Sequence, residues 1–308
     1  IFTALLARPS FGAIAFQANR FSWTKLSEML RFSIKSFIQG VATQMESATD
    51  TIVIGVFLGP ATVPLYAIPQ NLVRYIRILG WTIAHAFLPL FSDLAARSRQ
   101  DEIRRVYLVS SKVVSGLLLA IGVGVILVGT PFLALWIGPE YTAQSDIIIL
   151  LLVIYTVLPS LNPFCSRYLT AIDRHGIFVK LMPISALVNV CLSILLVQPY
   201  GIVGVAVGSV LPGMVLHPVL LIYSCRQLEL PVREYVAKSL LPSILPLVLM
   251  GLLVGWIRWQ WGIESYAVLI ATVLAGGLVF SAGFWTLAMT HEEKTFLIGK
   301  FDRNRSGP

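Results

Sequence analysis

The residues able to do chemistry in this sequence are concentrated in two predominantly apolar stretches. Gln39, Gln44, Glu46 and Asp50 lie along the first, and Gln70, Asn71, Arg74, Arg77 and His85 along the second. Arg74 and Arg77 are three apart and share one helical face, which Trp81 and His85 continue at similar spacing. A guanidinium is a planar fork of donors that matches phosphate or carboxylate oxygens. Charge inside an apolar helix is costly and points to a pathway or cavity. The paired arginines, with Gln70 and Asn71 beside them, therefore read as the wall of a water-filled cavity that holds an anionic substrate. A second reading stays open: an internal ion pair of Glu46 or Asp50 with Arg74 or Arg77, which only satisfies buried charge and joins two helices.

Asp50 has a further candidate role. A carboxylate beside hydroxyl or amide oxygens suits Na⁺ or a transferred proton, and Glu46 lies one helical turn before it. Asn189, Ser193 and Ser209 are candidate oxygen partners from later helices, although taken alone they suit ordinary interhelix hydrogen bonds. Gly204 and Gly208, and Gly251 and Gly255, have the small-xxx-small spacing of closely packed membrane helices. Cys165, Cys191 and Cys225 are odd in number, widely spaced and set among apolar residues, which fits buried small side chains rather than a disulfide framework or metal site. The sequence has no GxxxxGK[ST], HExxH, GxSxG or CxxC pattern, so the signatures of ATP-driven and common hydrolytic chemistry are missing. The expectation is a protein that is not an enzyme and has no organic cofactor, with Na⁺ or H⁺ coupling as the open question.

The elements that must position these residues are membrane helices. The chain is 56% hydrophobic and only 12% charged, and its mean hydropathy is +0.81, whereas soluble domains carry about 25% charged residues. Long apolar runs place spans at 113–130, 147–166, 181–198, 202–224, 239–257 and 265–290. Pro199-Tyr200-Gly201 must divide 181–224, a run about twice what a bilayer needs. Gly59-Pro60 and Pro64 similarly divide the earlier region into helices of about 33–58 and 65–91. The predicted class is an all-α polytopic bundle of about eight transmembrane helices.

Charge supports this count. The net charge of +8 comes from 23 Lys and Arg, nearly all of which fall in alternate loops and at both ends under the eight-span reading. By the positive-inside rule both ends are cytoplasmic, and the charge excess reflects topology, not nucleic acid. Pro131 to Gly138 is predicted to lie along the outer surface, with Trp136 at the interface, and Trp256, Trp259 and Trp261 mark the outer end of the seventh span. The stretch from Arg226 to Lys238 reads as the longest linker. The opening Ile-Phe-Thr-Ala-Leu-Leu-Ala reads as an interior start, with further sequence expected upstream.

Several stretches carry a family resemblance. Asp50-Thr-Ile-Val-Ile-Gly-Val-Phe-Leu-Gly59, then Val63-Pro-Leu-Tyr-Ala67 and Ala86-Phe-Leu-Pro-Leu-Phe-Ser92, resemble the opening of a lobe in Wzx-type polysaccharide flippases. These belong to the multidrug/oligosaccharidyl-lipid/polysaccharide superfamily. The segment from Asn189 to Gly208, with its Pro199-Tyr-Gly-Ile-Val-Gly204-Val-Ala turn, is similar to another pattern of that family. The resemblance implies a MATE-like fold of two six-helix lobes around a cavity, often with a terminal helix pair. It divides this chain into 1–31 (a cytoplasmic segment and remnant of a preceding helix), 32–225 (a six-helix C-terminal lobe), 226–290 (two additional helices) and 291–308 (a cytoplasmic tail).

The implied activity is movement of an undecaprenyl-pyrophosphate-linked oligosaccharide across the bacterial inner membrane for O-antigen, capsule or exopolysaccharide synthesis, by alternating access and driven by an ion gradient. Expected partners are the lipid-linked oligosaccharide, membrane lipids, a missing N-terminal lobe and the polysaccharide polymerase machinery. Related lipid II flippases have a sodium site to which Asp50, Asn189, Val205 and Ser209 correspond. Ser193 stands where that family places a second aspartate, which leaves proton coupling, or no tight ion site, open. The arginine that the lipid II flippases carry after their Tyr-Ala motif is not evident after Tyr66-Ala67, which argues against lipid II as substrate. The alternatives are a cation-coupled multidrug exporter of the same fold and an integral-membrane glycan polymerase or ligase.

Overall fold

A computed structural model describes residues 22–142 and 144–295. The expected segment 1–31 lies outside these apart from its last ten positions, as does most of the tail. Among the described residues the chain is helical throughout, without strands. α1 spans Trp23–Phe57, α2 Val63–Ala86, α3 Leu88–Ala96, α4 Gln100–Ile137, α5 Ser145–Val157 and α6 Cys165–Ala171; α7 is Gly176–Gln227, α8 Val232–Tyr235, α9 Ile244–Trp261 and α10 Tyr266–Gly283. Among the described residues, six helical stretches are long and apolar enough to cross a membrane: Pro60–Ala96, Gln100–Ile137, Ser145–Ala171, Gly176–Gln227, Val232–Trp261 and Tyr266–Ala288. The protein is a multi-pass membrane protein.

The 52-residue α7 is two arms folded back on each other. Gly201, at φ 59°, leaves the helical region and makes the hinge. The predicted break at Pro199-Tyr200-Gly201 is therefore present, and the turn is tight because the arms almost touch. A Cβ on Gly204 would lie 2.1 Å from the Leu196 carbonyl oxygen, and one on Gly208 would lie 2.8 Å from the Ser193 amide nitrogen. α1 packs chiefly against this hairpin. The turn between α1 and α2 is also where the sequence puts it: Gly59 has φ 91°, and Pro60–Thr62 forms a short 3-10 turn.

Two expectations need correction. The segment from Pro131 is not a separate surface element, because α4 runs through Pro131 to Ile137 and stops at Gly138, φ 107°. A proline in a helix leaves the carbonyl four residues earlier without its donor. Here that carbonyl belongs to Leu127, and Arg258 donates to it at 2.8 Å, so the helix continues with its backbone satisfied. The linker from Arg226 to Lys238 is mostly helix: α7 reaches Gln227 and α8 begins at Val232. The predicted span 147–166 falls within the apolar stretch Ser145–Ala171; inside it α5 ends at Val157 and a 3-10 turn at Pro159–Leu161 precedes α6.

The largest buried cluster joins Phe91, Tyr107, Phe164, Tyr168 and Tyr235, whose rings meet edge-on or tilted at 5.7 to 6.4 Å. It pins α3, α4, α6 and α8 together at one end of the bundle. The α9–α10 pair packs on α4 through Ala120, Met250, Val254 and Phe280. Beyond α10, Glu293 accepts from the buried Lys112 ammonium at 2.7 and 2.8 Å, so this lysine, one residue before the predicted span 113–130, ties the terminal pair to α4.

Candidate functional site

Asp50 is 2% exposed, about two turns from the end of α1. Tyr66, fully buried on α2, donates to its Oδ2 at 2.7 Å, and Ser209 from the second arm of α7 donates to the same oxygen at 2.8 Å. Asn189, on the first arm, donates its amide to the Ser209 hydroxyl oxygen at 2.8 Å. The hairpin makes this convergence: with Gly204 and Gly208 at the contact, positions 189 and 193 come beside 205 and 209.

Three oxygens of this cluster, Asp50 Oδ1, Asn189 Oδ1 and Ser193 Oγ, are buried with no hydrogen-bond partner. Such atoms are rare in folded proteins and call for an ion, water or proton. The donor set is all oxygen with one carboxylate, which fits a monovalent cation or a proton. Among the described residues no group of three or more His, Cys, Asp and Glu is placed to hold a metal ion. The structure thus brings together Asp50, Asn189, Ser193 and Ser209, and adds Tyr66. The sequence offered Tyr66 only as part of the Tyr-Ala pattern. The side chains of Gln39 and Glu46 lie outside the described residues.

The expected ion pair of Asp50 with Arg74 or Arg77 is not formed. Asp50 is held by hydroxyls, and neither arginine enters an ion pair among the described residues. Arg77 lines a partly open cavity of about 350 Å³ whose walls come from α2, α4, α5, α6 and α7. Arg74 is exposed on the flank of α2 and, like Gln70 and Asn71, is not part of that lining. Trp81 continues the lining one turn beyond Arg77, and His85 sits edge-on to Trp81 with ring centroids 4.2 Å apart.

Arg167 and His217 also line this cavity, and sequence reasoning missed both. Arg167 follows directly on the predicted span 147–166. It stands on α6, which is folded inward by a hydrogen-bonded relay: Tyr107 donates to Asn162 Oδ1, and the Asn162 amide donates to Ser224 at 2.8 Å. Tyr168 adds a bond to the Gln227 carbonyl at 3.0 Å. The available signal was Asn162-Pro163 beside Pro159, a break within an apolar run. Tyr155, on the cavity wall, is also within electrostatic reach of Tyr66, so the two regions adjoin.

Comparison with known proteins agrees with this architecture. A family model described as "Polysaccharide biosynthesis protein" matches residues 12–146. The probable low-salt glycan biosynthesis flippase Agl15 of Haloferax volcanii is 24% identical over 192 residues, 62% of this chain and 40% of that protein. The probable flippase AglR of the same organism is 26% identical over 165 residues, 53% of this chain and 34% of that protein. The chain therefore spans well under half the length of these relatives. Among solved structures, the lipid II flippase MurJ in an inward closed conformation superposes with a TM-score of 0.57 and 18% identity, covering 86% of this chain and 56% of that one. At that identity the likeness is one of fold.

Proposed function

We propose that this chain serves as a lobe of a transporter for lipid-linked oligosaccharide, a reading supported by its similarity to the polysaccharide biosynthesis family model and to the probable flippases. The substrate class is an undecaprenyl-pyrophosphate-linked glycan precursor, moved from the inner to the outer leaflet of the cell membrane by alternating access. Both ends of the chain face the cytoplasm in this reading, and the partner across the substrate path is a further lobe of the same protein. The observation that carries the proposal is a cavity between helices long and apolar enough to span a membrane, with arginines and no carboxylate in its lining. That lining suits a phosphate-bearing lipid and is poor for a cationic drug, which disfavours the multidrug alternative.

The Asp50 cluster is the coupling site. Asp50, Asn189, Ser193 and Ser209 would hold Na⁺ or a proton through the three unpartnered oxygens, and Glu46 is a further candidate. The bound charge would neutralise Asp50 in one half of the cycle. One charge moved across the field gains about 2.3 kcal/mol per 100 mV, enough to bias two conformations of similar energy. Arg74, Gln70 and Asn71, outside the cavity, would meet the substrate along the exposed flank of α2.

The test is complementation of a flippase-deficient strain by the full-length protein, wild type against the Arg74→Ala/Arg77→Ala double variant at equal abundance. Restored surface glycan with wild type, and accumulated lipid-linked precursor with the variant, are expected. Normal glycan with the double variant would remove the arginines from the transport path.

A further inference from the structure

The terminal pair, α9 and α10, packs on the rest of the bundle chiefly through one helix, α4. The face of α4 that the pair covers changes character along its length. From Ala120 to Leu127 it is apolar and packs against Met250, Val254 and Phe280. Arg258 fastens this half by donating to the Leu127 carbonyl at 2.8 Å, and Tyr266 donates to the Leu135 carbonyl at 2.9 Å.

The other half is polar. Leu108, Ser111, Lys112, Ser115 and Gly116 follow one another at helical spacing along this face. Ser239 donates to the Leu108 carbonyl at 3.0 Å. Lys112 donates to Glu293 at 2.7 Å and to the Ala288 carbonyl at 3.3 Å. A Cβ on Gly116 would lie 2.9 Å from the Ser243 hydroxyl oxygen, so the two segments are in close contact here.

Two opposed features meet in this polar half. The first holds it shut: the side chains of Lys112 and Glu293 are only 5% and 17% exposed. Glu293 is aimed at the lysine by a reciprocal pair of bonds, accepting from the Thr290 amide at 2.9 Å while its own amide donates to Thr290 Oγ1 at 3.4 Å. The second works against closure. The hydroxyls of Ser111, Ser115 and Ser243 are buried without a hydrogen-bond partner, a cost that water would relieve. The backbone is irregular at the same level, with π turns at Val236–Leu240 and Phe284–Ala288; such turns are rare and recur at functional sites.

Breaking the ion pair while the seam stays closed would strand the Lys112 ammonium in apolar surroundings. Release of the pair and entry of water must therefore occur together. We propose that the polar half of this seam is a two-state latch, closed by Lys112 and Glu293 and opened by hydration of Ser111, Ser115 and Ser243, with the apolar half staying packed as its hinge. Leu118 carries the movement inward. A Cβ on Gly80 would lie 2.8 Å from Leu118 Cδ1, so α2 responds when this end of α4 shifts. The inference stands on the seam alone and does not need the transport reading.

The experiment is hydrogen–deuterium exchange, read by mass spectrometry, on the full-length protein in lipid nanodiscs. Wild type is compared with Glu293→Gln, with Lys112→Met/Glu293→Leu, with Ser111→Ala/Ser115→Ala/Ser243→Ala, and with Arg97→Gln, a control in an exposed ion pair. In Glu293→Gln, exchange should rise roughly tenfold or more across 236–243 and 284–293, and stay as in wild type across 120–127 and 248–257. The Met/Leu variant closes the seam without charge, and the serine variant removes what water would relieve. Each should slow exchange of the first two segments about threefold. Arg97→Gln should change nothing.

A rise spread evenly over both halves in Glu293→Gln would make the ion pair ordinary glue and overturn the latch, as would no change at all. Wild-type exchange in the serine variant would mean that the closed seam leaves nothing for water to relieve, and overturns it equally. If Glu293→Gln fails to fold, the Met/Leu and serine variants decide: slowed exchange in both supports the latch, and wild-type exchange in either overturns it.

Discussion

The Asp50 cluster and the arginine cavity both bury charge, yet they are built on opposite terms. Asp50 is enclosed, and its Oδ2 takes two hydroxyl donors at 2.7 and 2.8 Å from α2 and α7. Arg77 and Arg167 line a partly open cavity, and the Arg167 guanidinium lies over the Trp81 ring. The first site is nearly satisfied by the protein and lacks something small. The second has no carboxylate in its lining. The difference teaches that a buried carboxylate is enclosed by hydroxyl donors from other helices, whereas partly exposed arginines are left facing a cavity.

The comparison can be broken by exchanging the losses. Arg77→Gln should reduce glycan export at least tenfold at every ion gradient, measured as surface glycan against trapped precursor; a defect that a steeper gradient rescues would merge the two sites. Asp50→Asn should remove ion dependence and reduce gradient-driven transport about tenfold, while precursor binding stays as in wild type. The amide keeps the shape of the carboxyl and can still accept from Tyr66, so insertion and folding should be preserved. Transport that keeps its ion dependence in this variant would take Asp50 out of the coupling role.

A finer test acts on the scaffolds. Gly204→Val puts side-chain atoms into the Leu196 carbonyl and should cost about 1–3 kcal/mol by overpacking. It should spread the hairpin at Asn189 and Ser209, and so weaken ion dependence before precursor binding; the reverse order in titrations would show that the hairpin serves the cavity instead. The smallest effect is expected from Tyr107→Phe, which removes the donor to Asn162. A loss of about 1–2 kcal/mol in thermal unfolding, with reduced precursor affinity and unchanged ion dependence, would confirm that this relay seats α6. Unchanged affinity would mean that the aromatic cluster alone holds Arg167 in place.

The legible parts of the site were those whose signals are local. Asp50 was conspicuous as a carboxylate in an apolar helix, and Asn189, Ser193 and Ser209 followed from polar positions and the family pattern. Arg77 was read as a cavity residue, but its companion was taken to be Arg74, three residues away on the same helix. The structure instead pairs Arg77 with Arg167, ninety positions on by sequence numbering. Helical spacing reports which side chains share a face. It carries no information about which face of another helix will come opposite. The pairing of Lys112 was illegible for the same reason, since its partner Glu293 lies beyond the terminal helix pair.

By itself, then, the sequence determined that this chain is a bundle of membrane helices, where its sharpest turns fall, and that charge inside it must have a purpose. Apolar length, proline and glycine act within a few residues, so these features are written locally. Only the tertiary structure decided that α4 passes through Pro131, because an arginine from α9 reaches the freed carbonyl. It also decided that two arginines from distant helices, and not two neighbours on one helix, share a cavity. Both outcomes depend on contacts between segments more than 80 positions apart by sequence numbering, and those contacts form only when the helices have packed.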